Sequence, residues 1–271
     1  MFTDVGLLKV RYSVQGEGKP LLLLHSGSTD LDTWEEMIPD LAKYFTVYRM
    51  DLRGFGLTSR SAEPRLSIEV WTDDLRAFMD RLGVSEAALV GWSLGGAIIL
   101  KFAALYPERV RELILLGSLS PLANSDFAGW RLRARLASDG VTVQEMVEQT
   151  FESTKMTLSP HTREKNPAAV EKVRQTLLRN QPLTYIELVD AMKEIPSLKP
   201  ALDVIRAPTL ILVGDSDIGT PISSAEDLNK ALPSSFLKII PDCGHCYPYE
   251  QPAATSKAIV EFIRAFDTRV D

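Results

Sequence analysis

Short apolar runs alternate with amphipathic stretches along most of this 271-residue chain. Most of the runs are continuously apolar, which is typical of parallel strands that are covered on both faces. The first run, "LLKVRYSV", is followed by the turn sequence "QGEGKP" and predicts an antiparallel start to the sheet. The predicted strands are residues 7–14, 20–25, 45–51, 87–92, 112–118, 209–215 and 236–241.

Amphipathic stretches between these runs predict helices. The segment that follows Ser67 places its apolar residues on one stripe, formed by Ile68, Trp71, Leu75, Phe78, Met79 and Leu82. A second helix is predicted after residue 93 and stops near Pro107, and the last one begins near Pro252. Repeated alternation of strand and helix predicts an α/β fold with a mostly parallel, doubly wound sheet.

The interval between residues 118 and 209 breaks this rhythm. It contains helical patterns punctuated by Pro and Gly, and no convincing strand. A structureless loop of that length is improbable in a compact domain. We therefore predict a helical cap over residues 119–206, inserted late in the sheet of a core formed by residues 1–118 and 207–271.

Composition narrows the functional classes. Hydrophobic residues make up 45% of the chain and charged residues 24%, as in an ordinary globular protein. The net charge of −6 argues against a nucleic-acid partner, which needs a clustered basic face. The run "WRLRARL" is the one candidate patch, and we expect Arg131, Arg133 and Arg135 to lie on a solvated helix face.

The N-terminal stretch has no basic region followed by a long apolar segment, and no run approaches the length of a membrane span. We therefore expect a cytoplasmic protein without a membrane partner, in which thiols are reduced. The oligomeric state is left open.

The strongest chemical signal is "VGWSLGG", where an apolar strand becomes a helix. Gly91-x-Ser93-x-Gly95 is the pattern of a sharp turn that lifts a serine hydroxyl above a sheet. The same turn directs the Leu94 N–H, at a helix N-terminus, toward the space where an oxyanion would develop. The alternatives are a Gly-rich turn that only packs tightly and a phosphate-binding loop. The spacing matches neither of the phosphate-binding motifs GxxxxGK(S/T) and GxGxxG.

A serine nucleophile needs a base, and the chain has three histidines. His161 lies among polar residues of the predicted cap, and His25 ends a strand where it would form the floor of a site. His245 follows the last strand and projects from the carboxyl edge of the sheet, where Ser93 must also lie. We therefore predict His245 as the base.

The base needs a carboxylate to fix its tautomer. "VGDSDIGTP" supplies Asp215 and Asp217 at a strand end, whereas the loop after residue 118 offers no carboxylate before Asp126. We favour Asp217, because Asp215 is closer to the strand end and suited to bonding the turn.

With these motifs the chain resembles the α/β-hydrolase superfamily almost end to end. "GWSLGG" matches the nucleophile elbow, "GDSD" the acid motif and "CGHCYPYEQP" the histidine motif, in which Glu250 and Pro252 open the final helix. "DLRGFGLTS" matches a turn that is structural in that family. The resemblance implies the triad Ser93, Asp217 and His245, and no cofactor or metal.

One loop departs from the usual family pattern. Most members have His-Gly after the strand, whereas this chain has "HSGSTDLDTW", with Ser26 at the glycine position. The stretch is similar to that of 3-oxoadipate enol-lactonases, with which Ser26, Thr29, Asp30, Leu31 and Trp34 agree. The second oxyanion donor is expected from this loop, from the Gly27 N–H or, as the rival, from Ser28.

The resemblance implies hydrolysis of a small-molecule ester or lactone. Carbon–carbon bond hydrolysis of diketo acids uses the same triad, perhydrolase-like activity is a further alternative, and a non-catalytic binding protein is disfavoured by the complete triad. Trp92 is a candidate substrate contact beside the nucleophile. Five further cap side chains could line the pocket or simply fill helix cores: Trp130, Met146, Phe151, Met156 and Tyr185.

The chain's two cysteines flank the predicted base in "DCGHC". C-x-x-C is typical of redox pairs and of half a zinc site. After Cys246 there is room for one helix but not for the later strands of a thioredoxin-like fold, and no second ligand pair completes a zinc site. We interpret Cys243 and Cys246 as bystanders.

Overall fold

The computed structural model describes residues 1–60, 65–123 and 127–266. Within them, eight strands form one sheet in the order β1-β2-β4-β3-β5-β6-β7-β8. The strands are β1 (Phe2–Val5), β2 (Leu8–Gln15), β3 (Lys19–Leu24), β4 (Phe45–Met50), β5 (Ala87–Trp92), β6 (Val110–Leu116), β7 (Thr209–Gly214) and β8 (Ser235–Ile240).

The described helices are α1 (Ile38–Leu41), α2 (Ile68–Arg81), α3 (Leu94–Leu105), α4 (Ala128–Ser138), α5 (Val143–Lys155), α6 (Pro160–Lys165), α7 (Pro167–Leu178), α8 (Pro182–Met192), α9 (Ile222–Ala231), α10 (Tyr247–Glu250) and α11 (Pro252–Phe266). Single 3₁₀ segments cover Leu31–Trp34, Pro107–Arg109 and Ile195–Val204.

The predicted α/β class and doubly wound sheet are confirmed. β4, β3, β5, β6, β7 and β8 pair in parallel, and β2 pairs antiparallel with both β1 and β4. Every residue of β5 and β7 is buried, because helices cover both faces of the sheet. One core layer packs α2, α3 and α9 on one face, and a second packs α1, α10 and α11 on the other.

The start of the sheet differs from the prediction. The strand expected over residues 7–14 corresponds to β2, but a further short strand, β1, precedes it and pairs with it across a turn at Gly6 and Leu7. Gly6 has a φ of +59°, a left-handed conformation that glycine adopts without a steric penalty. Leu7 is fully exposed at this turn, so its apolar side chain does not mark a buried strand position.

Helices α4 to α8 fill the interval between β6 and β7, and no strand lies in its described part. The last turn of the interval, Ile195–Val204, packs against α3 in the core of the sheet rather than in the helical layer above it. The domain boundaries at residues 119 and 206 stay a prediction. No helix in the described ranges is long and apolar enough to cross a bilayer.

Candidate active site

Ser93 occupies a strained turn between β5 and α3. Its backbone has φ +54° and ψ −108°, a conformation that non-glycine residues adopt rarely and at a cost of about 1–3 kcal/mol. Four backbone bonds hold the turn: the Ser93 N–H donates to the Leu116 carbonyl (2.9 Å), and the Ser93 carbonyl accepts from the N–H groups of Gly96 (3.0 Å), Leu119 (3.2 Å) and Ala97 (3.3 Å). Hydrogen bonds to β6 and to the first turn of α3 therefore maintain the strain.

Glycines beside Ser93 allow the chain to turn this tightly. A Cβ at Gly91 would clash with the backbone of Gly95. A Cβ at Gly95 would clash with the carbonyl of Leu24 in β3. The strand and helix backbones approach so closely that no side chain fits between them, which explains the Gly-x-Ser-x-Gly pattern.

His245 lies in the loop between β8 and α10 and bonds to Asp217. Its Nδ1 is 2.9 Å from Oδ2 of Asp217, which follows β7. The Asp217 side chain is completely buried, whereas that of His245 is 15% exposed. With Nδ1 engaged as a donor, Nε2 is the ring nitrogen left to accept a proton.

Four further hydrogen bonds hold Asp217. Its Oδ1 accepts from the Gly219 and Thr220 N–H groups (2.8 Å each), and its Oδ2 accepts from the Thr220 hydroxyl (2.8 Å) and the Tyr247 hydroxyl (3.0 Å). This network satisfies a carboxylate that would be costly to bury alone.

Asp217 and His245 shift each other's pKa. Burial alone would raise the pKa of Asp217, but the charge of His245 and the hydrogen bonds lower it below its ordinary value. Burial would likewise lower the pKa of His245, but the adjacent Asp217 carboxylate raises it. The pair therefore favours a charged carboxylate next to an imidazole that accepts a proton readily.

Asp215 has a different position from Asp217. Its Oδ2 accepts from the Asp242 N–H (2.9 Å), and its Oδ1 accepts from the Cys243 N–H (3.2 Å). Asp242 has a φ of +51°, so Asp215 braces a strained turn ahead of the histidine loop. Asp126, the other carboxylate considered, lies outside the described residues.

The other two histidines lie elsewhere. His161 is exposed on α6. His25 is fully buried, and its Nε2 accepts from the Leu52 N–H (2.9 Å) while Nδ1 bonds the Ser26 carbonyl (2.8 Å). Burial lowers the pKa of His25, so this ring is a neutral structural member of the loop after β3.

A cavity of about 760 Å³ joins the site to the helical layer. Ser93, His245 and Gly27 line it, and Leu94 is the first residue of α3, directly after Ser93. Ser28 has a φ of +61°, and its carbonyl accepts from the Asn180 side chain (2.8 Å). Of the two candidate loop donors, Gly27 is therefore the one on the cavity wall.

Trp92 and Trp130 are also part of the cavity wall. The Trp92 indole N–H donates to the His245 carbonyl (2.8 Å), so this side chain supports the histidine loop as well as the cavity. Met146 and Tyr185 are instead buried in a small helix core, and Met156 is 49% exposed. Phe151 packs at the edge of the core layer behind the sheet.

Comparison with known proteins gives the family. A model described as the alpha/beta hydrolase fold matches residues 19–252. The chain belongs to this family. It is 28% identical to 2-hydroxy-6-oxo-2,4-heptadienoate hydrolase of Pseudomonas putida, over 93% of this chain and 91% of that protein.

Two further relatives are named for ester or lactone cleavage. The alpha/beta hydrolase chain is 26% identical to 3-oxoadipate enol-lactonase 2 of Acinetobacter baylyi, over 93% of this chain and 91% of that protein. A thermophilic esterase from Thermogutta terrifontis superposes with a TM-score of 0.87 and 30% identity, over 96% of this chain and 95% of that one.

Glu250 was expected only to open the last helix of this alpha/beta hydrolase, but it also ties the site together. Its Oε2 accepts from the N–H groups of Ser159 (2.7 Å) and Gly244 (3.1 Å), and its Oε1 accepts from the Cys246 N–H (2.9 Å). His245 lies between two of these donors. The carboxylate therefore fixes both sides of the histidine loop and joins it to the turn before α6.

The two cysteines are free thiols in this structure, and both are buried. Burial, with a contribution from Glu250, raises the pKa of Cys243 and Cys246 well above the ordinary thiol value. A thiol with a raised pKa is a poor nucleophile and a poor metal ligand.

The predicted exposure of the basic run was wrong for one of its three arginines. Arg131 and Arg135 are exposed on α4, as expected, but Arg133 is only 8% exposed and lines the cavity. Residues two apart on a helix differ by about 200° in direction, so Arg133 faces away from its two neighbours in the run. Arg133 shares a helix face with Trp130 and Leu136, and this spacing was the sequence signal that could have predicted its buried position.

Proposed function

We propose that this alpha/beta hydrolase cleaves carboxylic esters or lactones as a serine hydrolase. The observation that supports it most is that one cavity is lined both by Ser93, on its strained turn, and by His245, which bonds to the buried Asp217. Two of the relatives above are named as a lactonase and an esterase, which agrees with this reaction class.

In the proposed mechanism the Ser93 hydroxyl attacks the ester carbonyl while His245 Nε2 accepts its proton. The new Oγ–C bond forms a tetrahedral oxyanion, which the N–H groups of Gly27 and Leu94 stabilise. The C–O bond to the leaving alcohol then breaks, and His245 returns the proton to that oxygen. Water, deprotonated by His245, then attacks the acyl-enzyme; the bond between the acyl carbon and Ser93 Oγ breaks, His245 returns the proton to Oγ, and the acid is released.

Asp217 maintains the tautomer of His245 and stabilises its cation in both steps, with five hydrogen bonds that keep the carboxylate charged. Trp92 borders the acyl-binding space. The mechanism uses no cofactor or metal.

Carbon–carbon bond cleavage is the second candidate. It is favoured by the 28% identical relative from Pseudomonas putida, which is named as a hydrolase of a 2-hydroxy-6-oxo dienoate. The loop after β3 favours lactones instead, because its Ser26, Thr29, Asp30, Leu31 and Trp34 agree with the enol-lactonase pattern.

A substrate panel tests the proposal. Wild type and Ser93→Ala are assayed with p-nitrophenyl esters, lactones and ring-cleavage diketo acids. We expect turnover of esters or lactones by the wild type, and a kcat lowered by roughly 10³–10⁶-fold in the variant with its melting temperature maintained. Turnover of diketo acids alone would favour the second candidate, and near-wild-type turnover by Ser93→Ala would refute the serine mechanism.

A further inference from the structure

Arg133 is a buried charge in the wall of the active-site cavity. It belongs to α4, in the helical layer above the sheet, and lies on the same cavity as Ser93 and His245. Its side chain has no role in the mechanism above. Burial lowers the pKa of the guanidinium, but an arginine keeps its charge at neutral pH.

The described neighbours of Arg133 satisfy only part of the hydrogen-bonding capacity and charge of its guanidinium. Nη2 donates to the Thr154 hydroxyl, and the guanidinium lies over the Trp130 ring with Cζ 5.2 Å from its centre. Tyr185 is the nearby ionisable group, and its pKa is raised by burial, so it remains neutral. Within the described part of the chain, Arg133 forms no ion pair with a carboxylate.

Other shielded arginines of this protein do have carboxylate partners. Three examples are Arg53 with Asp74 (2.6 Å), Arg60 with Glu187 (2.6 Å) and Arg49 with Glu35 (2.8 Å). A buried guanidinium that lacks such a partner is costly, because it loses hydration without a compensating charge. Arg133 is therefore an exception that a bound anion would resolve.

The donors of Arg133 suit a carboxylate. A guanidinium carries five N–H donors in a planar fork, and the described protein groups accept from one of them. The carboxylate of Asp227 also lines the cavity, but Asp227 is half-exposed and pairs with Lys230 (3.3 Å). The other titratable groups on the wall are His245, Cys246 and Tyr249, which carry no fixed negative charge there.

Trp130 connects this charge to the reaction centre. Its Cη2 atom lies 3.5 Å from the place where a Cβ at Gly27 would be, and the same ring lies under the guanidinium. An anion on Arg133 would therefore share one chamber with the ester carbonyl at Ser93.

We propose that Arg133 binds a carboxylate carried by the substrate, so that the preferred ester or lactone is an anion. This inference rests on the proposed function and assigns it a substrate class.

Matched pairs of substrates test it. Mono-p-nitrophenyl esters of four- to six-carbon dicarboxylic acids are compared with neutral p-nitrophenyl esters of equal chain length, and lactones with and without an exocyclic carboxylate form a second set. We expect at least one carboxylated member to exceed its neutral partner about 10- to 100-fold in kcat/KM. Arg133→Gln should remove this preference, and Arg133→Lys should retain part of it.

Arg135→Gln is the matched control, since it removes the same charge from an exposed position on the same helix. We expect it to leave the preference unchanged. If Arg133→Gln does not fold, the wild-type preference for carboxylated substrates and the preference of Arg133→Lys still test the inference. Equal turnover of both members of every pair by the wild type, or equal losses on both in Arg133→Gln, would overturn the inference and leave a purely structural Arg133.

A binding measurement separates this inference from the proposed function. Titration calorimetry of Ser93→Ala with succinate, glutarate and adipate needs no turnover, and we expect binding at least about 10-fold weaker when Arg133→Gln is added. Binding that depends on Arg133, in a protein whose wild type hydrolyses no ester or lactone, would support the anion site and refute the hydrolase proposal. Ser93-dependent hydrolysis without any such binding would support the hydrolase proposal and refute the anion site.

Discussion

Replacing Glu250 with Gln tests how the histidine loop is positioned. The substitution preserves shape but removes the charge and turns one oxygen into an NH₂ group. Three backbone N–H groups, of Ser159, Gly244 and Cys246, converge on the Glu250 carboxylate at 2.7–3.1 Å. A glutamine has one acceptor oxygen, so at least one of these donors would face another donor.

The magnitude follows from these bonds. A hydrogen bond to a charged group contributes about 1.5–3 kcal/mol, and the bonds that survive weaken to about 0.5–1.5 kcal/mol each. We expect a loss of about 3 kcal/mol in the free energy of unfolding. For a protein of this size that corresponds to a melting temperature lower by about 6–12 °C.

Activity should fall as well, because His245 lies between two of the affected donors. Thermal unfolding and ester hydrolysis are measured on Glu250→Gln, with Glu261→Gln as the control, since Glu261 is half-exposed on α11. A Glu250→Gln protein within 1 °C of wild type and with the same kcat would refute this account of Glu250.

Two further predictions concern protonation. Because His245 must be neutral to accept the serine proton and Asp217 raises its pKa, kcat/KM should increase with pH through a midpoint above the ordinary value of about 6.5. Asp217→Asn should lower both the rate and that midpoint, whereas Asp215→Asn should shift the midpoint much less; equal midpoints in all three pH–rate profiles would contradict the pairing. Since burial raises the pKa of Cys243 and Cys246, iodoacetamide at pH 8 should alkylate the native protein at least about 100-fold more slowly than the urea-unfolded protein. Comparable rates in mass spectrometry would show that these thiols are not protected.

Much of the fold could be predicted from the sequence because its signals are local. The strands β5 and β7 are continuous apolar runs, and both are completely buried. The stripe of α2 and its start at Ser67 also follow from periodicity and capping, and the Ser67 hydroxyl accepts from the Val70 N–H as such a cap does. Strand β1 was not predicted, because it is four residues long and has little apolar pattern.

The site depends more on contacts that are distant in sequence. The choice between Asp215 and Asp217 for the partner of His245 rested on spacing and resemblance, and the geometry that separates them is the turn at residues 214–220. Arg133 faces the cavity because of its angular position on α4, and a count of basic residues does not show that position. The link from Glu250 to Ser159 spans 91 residues, so no local pattern contains it.

The central claim is that Ser93 is the nucleophile. Native protein is treated with a p-nitrophenyl alkylphosphonate, and the modified residue is located by peptide mass spectrometry. The account predicts one equivalent of phosphonate on Ser93, with parallel loss of ester hydrolysis and no labelling of Ser93→Ala. Folded protein that hydrolyses esters but carries no phosphonate on Ser93 would contradict it.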